Sequence, residues 1–210
     1  MTIWGSRMGP EMGVAYKLEN GKVPTELGGT RLLVDGKPAP LLYVSAGQVN
    51  AILPYDRGPL EFVPVQIERA EGSAPAIRVR LVPQGITLFV GAVLNEDGLV
   101  NSPKNPAKKG AIVVFYGTGG GATVPASVAG EVTPLELRRL AAGPTFGFGG
   151  AAPTVKPEYA GAAPGLLAGV SQFNVRLPAT ITELDPTLPK GTIQVQVVGF
   201  YGRVLISVEQ

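Results

Sequence analysis

The closest cluster of oxygen-bearing side chains lies in the stretch AVLNEDGLVNSP, at positions 92–103. Its members are Asn95, Glu96, Asp97 and Asn101. Carboxylate and amide oxygens are the ligands that calcium prefers. Against an EF-hand loop, however, the first position would be Val93 and the twelfth Lys104, whose side chains supply no oxygen. A hairpin with an Asp-Gly turn explains the same residues and is favoured. We therefore expect no cofactor, and calcium is the metal that this cluster would suit.

A glycine-rich stretch, IVVFYGTGGGATVP at positions 112–125, has the spacing of a dinucleotide-binding loop at Gly117, Gly119 and Ala122. That motif requires a helix after the glycines, but Pro125 interrupts the residues that follow. The Gly-Lys-Ser/Thr ending of a P-loop is missing as well. We interpret the stretch as a strand that ends in a turn, and we predict no nucleotide site.

Histidine and cysteine are both absent from the 210 residues. Their absence excludes a Ser-His-Asp triad, a thiolate nucleophile and cysteine-ligated zinc. Ser171 stands in GVSQF, which lacks the last glycine of a nucleophile elbow. A pair of carboxylates far apart in the chain remains open. We favour a protein without catalysis. The alternative is a hydrolase that acts on glycans, esters or lactones through carboxylates, with or without a dependence on calcium.

Charge and hydropathy restrict the partners. Lys+Arg 18 against Asp+Glu 16 gives a net charge of +2, and Lys104, Lys108 and Lys109 are interpreted as one solvated loop. We therefore expect no nucleic-acid partner. No apolar run reaches the roughly 20 residues of a membrane span, so no membrane insertion is expected. The opening residues MTIWGSRMGP lack the features of a signal peptide.

One pair of amide side chains, a glutamine and an asparagine two residues apart, occurs twice in the sequence. Gln48 and Asn50 in QVNAILP match Gln172 and Asn174 in QFNVRLP. Residues two apart on a strand share one face. These amides could line a sugar-binding surface, but bonds to neighbouring backbone that stabilise a turn or a contact between sheets are favoured. The polar aromatics, for which half-buried packing is the favoured interpretation, are Trp4, Tyr16, Tyr43, Tyr55, Tyr116, Tyr159 and Tyr201.

Three more pairs of segments match in the same order along the chain. They are IWGSRMG with FYGTGGG, VDGKPAP with FGGAAP, and FVPVQIER with TIQVQVVG. Short alternating segments bounded by glycine and proline are typical of β-sandwiches. We predict an all-β protein of two tandem immunoglobulin-like β-sandwich domains, at 1–83 and 110–210. A structured β-hairpin segment at 84–109 is predicted to join them.

The residues of the repeat also carry a resemblance. The three stretches VDGKPAPLLYVSAGQVNAILP, GAVLNEDGLVNSPKNPAKKGAIVVFYGTGGG and YAGAAPGLLAGVSQFNVRLP resemble the C-terminal repeat region of large uncharacterised secreted proteins of Solibacter-type acidobacteria. More distantly, the chain is similar to IPT/TIG immunoglobulin-like domains. The resemblance implies tandem sandwiches, export, and a place at the end of longer extracellular proteins. Our leading hypothesis is a non-catalytic module, extracellular or at the cell surface, for adhesion, carbohydrate binding or spacing. Polysaccharide or a cell-surface protein would be the partner. It brings no activity for individual residues.

Two further local features are predicted, a helical turn and an exposed sheet edge. Thr133-Pro134-Leu135-Glu136 has the pattern of a helix capping box, so a short helical turn is expected there. The first copy starts close to a matched strand end, so its leading strand is missing and one sheet edge is exposed. An edge-strand homodimer, another chain's terminus or the stretch YKLENGKV at positions 16–23 would cover that edge. We favour that stretch, because Asn20-Gly21 is a strong hairpin signal.

Overall fold

A computed structural model describes residues 1–55, 62–149, 154–181, 187–200 and 202–209. All helical or strand structure in these ranges is β, which confirms the all-β prediction. The chain divides into two compact units. The first contains 1–83, 127–135 and 164–169, and the second contains 84–126, 136–163 and 170–210.

Two antiparallel sheets build the first unit. Its strands are β1 (Thr2–Trp4), β2 (Val14–Ala15), β3 (Glu26–Leu27), β4 (Thr30–Val34), β5 (Lys37–Pro38), β6 (Leu41–Val44), β7 (Gln48–Ala51), β8 (Phe62–Arg69), β9 (Gly72–Ser73) and β10 (Ile77–Arg80). One sheet has the order β1-β7-β6-β2. The other has the order β10-β8-β4-β3, with β5 beside β4 and β9 beside β8.

The core of the first unit lies between these two sheets. Leu32 and Val34 from β4 belong to the same buried cluster as Leu41, Val44 and Val49 from β6 and β7. Each fully buried side chain of this size contributes about 1.5–3 kcal/mol relative to exposure. The alternation of buried and exposed residues along the strands therefore produces a sandwich with one apolar interior and one outward face per sheet.

The second unit is also a pair of sheets. Its strands are β11 (Thr87–Leu94), β12 (Ile112–Thr118), β13 (Thr123–Val124), β14 (Arg139–Leu140), β15 (Phe146–Phe148), β16 (Tyr159–Ala162), β17 (Val170–Arg176), β18 (Thr192–Val197) and β19 (Arg203–Ser207). The sheet orders are β11-β12-β17-β16-β14-β13 and β15-β18-β19. The ring of Phe146 bridges the sheets, with centroids 5.6 Å from Phe115 and 5.5 Å from Phe173.

Strand registers repeat between the units. Thr2 pairs with Asn50 on β1 and β7, and the matched residues Val114 and Asn174 pair on β12 and β17. In the other sheets, Val34 pairs with Val65 in the first unit, and the matched Phe148 pairs with Val195 in the second. The sequence matches therefore correspond to equivalent strands. Residues 150–153 of the FGGAAP match lie outside the described part of the chain.

The units do not follow the predicted boundaries throughout. The segment 84–109 belongs to the second unit, where β11 pairs with β12. Segments 127–135 and 164–169 belong to the first unit, although they lie inside the predicted second domain. The N–H of Val23 donates to the carbonyl of Gly130 at 2.8 Å, and the N–H of Ala168 donates to that of Glu131 at 2.8 Å.

The expected helical turn at Thr133 is wrong. The backbone N–H of Thr133 donates to the carbonyl of Leu166 at 2.7 Å, and Val132 forms an antiparallel bridge with Leu167. A capping box requires a free helix N-terminus. Here the long-range pairing takes the backbone groups that a helix would use, so the local preference is overridden.

The proposed cover of the β1 edge is also wrong. The Asn20-Gly21 turn forms as predicted, with φ of 51° and 77° and reciprocal bonds between Glu19 and Lys22. However, the N–H of Tyr16 donates to the carbonyl of Leu42 at 3.1 Å, which places this stretch on the β2 and β6 side of the sheet. Strand β1 forms the opposite edge, and among the described residues no strand pairs with its outer side.

Candidate functional site

Four side chains form a row on the outward face of the β1-β7-β6-β2 sheet. They are Trp4, Gln48, Asn50 and Tyr43, and we call them the aromatic–amide row. Trp4 is directly opposite Gln48, and Tyr43 is directly opposite Asn50. Residues that face each other in an antiparallel pair project to the same side of the sheet. The row therefore crosses three adjacent strands on one face.

The two amides of the row bond to each other. Gln48 Nε2 donates to Asn50 Oδ1 at 2.8 Å. Gln48 Oε1 and Asn50 Nδ2 have no protein partner among the described residues, which leaves one acceptor oxygen and one NH₂ nitrogen available. The sequence favoured amide bonds to backbone, whereas the partner of each amide here is the other amide. The turn before β7 is held instead by Ser45, whose Oγ accepts from the N–H of Gln48 at 3.1 Å.

The two aromatic ends of the row differ in exposure. Trp4 is 73% exposed, although it was expected to be half-buried like most of the polar aromatics. Tyr43 is half-buried and lies over Gly13, where any side chain would collide with its ring. Glycine at position 13 thus makes room for the tyrosine. A large indole left in solvent beside polar groups is the kind of side chain that dominates binding surfaces.

The second unit repeats the row. Its members are Tyr116, Gln172, Asn174 and Tyr159, with the same pairings across β12, β17 and β16. Gln172 Nε2 donates to Asn174 Oδ1 at 2.9 Å. The correspondence between Tyr43 and Tyr159 was missed in the sequence, because the segments between each tyrosine and its amides differ in length. The strand register reveals it.

The two aromatic residues of the second row are less exposed than Trp4 in the first. Tyr159 is only 5% exposed, and its Oη donates to the carbonyl of Ala162 at 2.7 Å. The guanidinium of Arg139 lies 5.4 Å from the ring centroid of Tyr159. Burial raises the pKa of the Tyr159 phenol, a shift partly opposed by a backbone hydrogen bond of Arg138 and by the charge of Arg139. Tyr116 is half-buried.

The predicted calcium cluster is a hydrogen-bonded network. Asn101 Nδ2 donates to Asn95 Oδ1 at 2.9 Å and to the carbonyl of Ser207 at 2.8 Å. Asn101 Oδ1 accepts from the N–H of Ser207 at 2.7 Å. Asn95 Nδ2 donates to the carbonyl of Asn105 at 2.7 Å. These amides connect the turn after β11 to the end of β19.

The acidic members of that cluster lie in the turn itself. Asp97 Oδ1 accepts from the N–H of Leu99 at 2.9 Å, and Asp97 Oδ2 accepts from Asn105 Nδ2 at 3.3 Å. Gly98, with φ of 78°, completes the Asp-Gly turn. Glu96 is exposed. Over the residues the structure describes, no three His, Cys, Asp or Glu side chains come together as a metal site.

The glycine-rich stretch is a strand and a turn, as interpreted from the sequence. Gly117 lies within β12, and Gly119 and Gly121 adopt φ of 79° and 82° before β13 begins. The carbonyl of Gly119 accepts from the N–H of Gly85 at 2.9 Å. Lys104, Lys108 and Lys109 are exposed. Tyr201 lies outside the described residues.

The fold and the aromatic–amide row define an all-β protein of two sandwich-like units with one exposed polar and aromatic sheet face. No protein-family model, curated protein or solved structure matches this chain. Within the described ranges, no helix is long and apolar enough to span a bilayer.

Proposed function

We propose that the chain is a non-catalytic binding module of the cell exterior, built from two tandem immunoglobulin-like sandwiches. It contacts its partner, a polysaccharide or a cell-surface protein, through the outward face of the first unit. The observation that carries this proposal is the exposure of Trp4 directly opposite Gln48. Exposed tryptophan flanked by hydrogen-bonding groups supplies both contact area and specificity to a binding surface.

The chemistry of the row favours binding over catalysis. Its polar groups are two amides, a phenol and an indole N–H, and it holds no carboxylate, imidazole or thiol. General acid–base catalysis needs a group whose pKa lies near the operating pH. The row offers hydrogen bonds and a flat aromatic surface instead, which hold a ligand without transforming it.

The experiment compares binding and turnover in the same samples. Wild-type protein, Trp4→Ala and the matched variant Tyr116→Ala are incubated with insoluble polysaccharides and with cell-surface preparations, and bound protein is measured. The same proteins are screened against glycan, ester and lactone substrates. We expect binding that Trp4→Ala loses and Tyr116→Ala keeps, with no turnover. Turnover that disappears on calcium chelation would establish the hydrolase alternative.

A further inference from the structure

Resting on the proposed binding function, we infer that the partner of the aromatic–amide row is an uncharged polysaccharide. Among the described residues, the outward-facing side chains of strands β1, β2, β6 and β7 carry no charge. They are Thr2, Trp4, Ala15, Tyr43, Gln48 and Asn50. The carboxylates or sulfates of an acidic polysaccharide would meet no cation on these strands to offset their loss of hydration.

The free amide atoms match a sugar's hydroxyl groups. A hydroxyl donates one hydrogen bond and accepts others, so neighbouring hydroxyls can satisfy Gln48 Oε1 and Asn50 Nδ2 together. The 2.8 Å bond between the two amides holds both in one orientation before the ligand arrives. Such preorganisation reduces the entropy lost on binding. A carboxylate, which only accepts, would be repelled by Gln48 Oε1.

Trp4 provides the apolar contact. The C–H-bearing face of a pyranose ring is flat and weakly polar, and it packs on an indole that is 73% exposed. Tyr43 stands two strands away from Trp4. Because neighbouring strands lie about 4.8 Å apart, the row spans about 10 Å across the sheet. That span exceeds one sugar ring, so the ligand is a chain that crosses the strands.

The second row lacks the features that make the first accessible. Tyr159 is buried under the charge of Arg139, and the next outward residue on β17, Arg176, forms a 2.8 Å ion pair with Glu158. Within the described residues, the repeat therefore supplies one polysaccharide site rather than two. The second row provides a control within the same molecule, because its amide pair has the same bond and a different setting.

The test is affinity electrophoresis in gels that contain a neutral polysaccharide or an acidic one, either uronate-rich or sulfated. We expect retardation by a neutral polysaccharide and none by the acidic gels. Added salt should change little, since no ion pair is involved. Trp4→Ala should weaken binding at least about tenfold, a loss of one aromatic contact. Asn50→Ala should also weaken it, and Tyr116→Ala should not.

Each other outcome contradicts the inference in its own way. Salt-sensitive binding to acidic polysaccharide alone would overturn the neutral ligand while leaving a carbohydrate-binding function. Binding to a cell-surface protein and to no polysaccharide would overturn the ligand class while leaving the binding module. Turnover without binding by the row would overturn the proposed function itself. Thermal unfolding of each variant, with Trp4→Phe as the conservative replacement, shows whether lost binding reflects lost fold.

Discussion

Gln48 and Asn50, two residues apart on β7, are joined by a side-chain hydrogen bond of 2.8 Å. The same bond joins Gln172 and Asn174 on β17 at 2.9 Å. The bond therefore forms in both units, although the tyrosine beside it is half-buried in the first unit and buried in the second. Its contribution to stability can be measured twice within one chain.

Gln48→Met and Gln172→Met should each lower the free energy of unfolding by about 1 kcal/mol. Methionine keeps the length of the side chain but removes the donor to the asparagine, and a hydrogen bond of this kind contributes about 0.5–1.5 kcal/mol. Urea unfolding followed by circular dichroism measures the change. If both variants keep the stability of the wild type, the bond has no structural role.

Asn101→Ala should lower the free energy of unfolding by about 2–3 kcal/mol, because it leaves buried groups near Ser207 without partners. The loss should be equal with calcium and with a chelator. Thermal unfolding of the wild type and the variant in both conditions provides the measurement. A melting temperature of the wild type that rises with calcium would instead support a metal site at Asn95, Glu96, Asp97 and Asn101.

Tyr159→Phe should alter the alkaline stability. The folded state holds the phenolic proton more tightly than the unfolded chain does, because burial raises the pKa of Tyr159. The stability from this group is complete below about pH 10 and is lost as pH rises further. Removing the bond to Ala162 should cost about 1 kcal/mol at pH 7 and flatten the alkaline decline. Urea titrations from neutral to alkaline pH should show both effects; parallel curves would refute them.

The open edge of β1 should mediate self-association. Met1 exchanges both backbone bonds with Ala51, and the N–H of Gly5 donates to Gly47, so alternation directs the backbone groups of Thr2 and Trp4 away from β7. Sedimentation velocity over a dilution series should show a reversible homodimer. Thr2→Pro removes an outward donor and should yield monomers, while Thr2→Ala should not. Wild-type protein that stays monomeric throughout would exclude pairing through this edge.

Gly130→Ala should destabilise the first unit by about 1–3 kcal/mol, since the residue has positive φ. Its φ is 83°, and an added Cβ would lie 2.7 Å from Pro40 Cγ. Gly143→Ala is the matched control, because a methyl group added there would meet nothing within 4 Å and its φ is not left-handed. Urea unfolding should separate the two variants. Equal stabilities would mean that segment 127–135 contributes little to the first unit.

Local patterns in the sequence predicted the all-β class and two of the turns. The matched amide pair occupies equivalent strands, and the Asn20-Gly21 and Asp97-Gly98 turns form. Each of these depends on residues close in the chain, where period-two alternation and turn chemistry are informative. The position of a turn relative to its sheet could not be predicted in the same way. The bond from Tyr16 to Leu42, which put the first hairpin on the far side of its sheet, has no local signature.

The candidate site was only partly predictable. Gln48 and Asn50 stood out because they recur, but nothing in the sequence distinguished the exposed Trp4 from the half-buried Tyr116. Exposure depends on what lies on the neighbouring strand. In the second unit β11 flanks β12, whereas the matching side of β1 is open among the described residues. The exposure of such a side chain therefore cannot be predicted from the sequence of its own strand alone.

The chain passes back and forth between its units, because segments 127–135 and 164–169 complete the first unit from within the second repeat. Repeats that fold independently can be shuffled between genes one at a time, and each arrives intact. Residues 1–83 moved alone would leave behind the partners of Val23 and Pro40. Recombination should therefore transmit these two repeats as one inherited block.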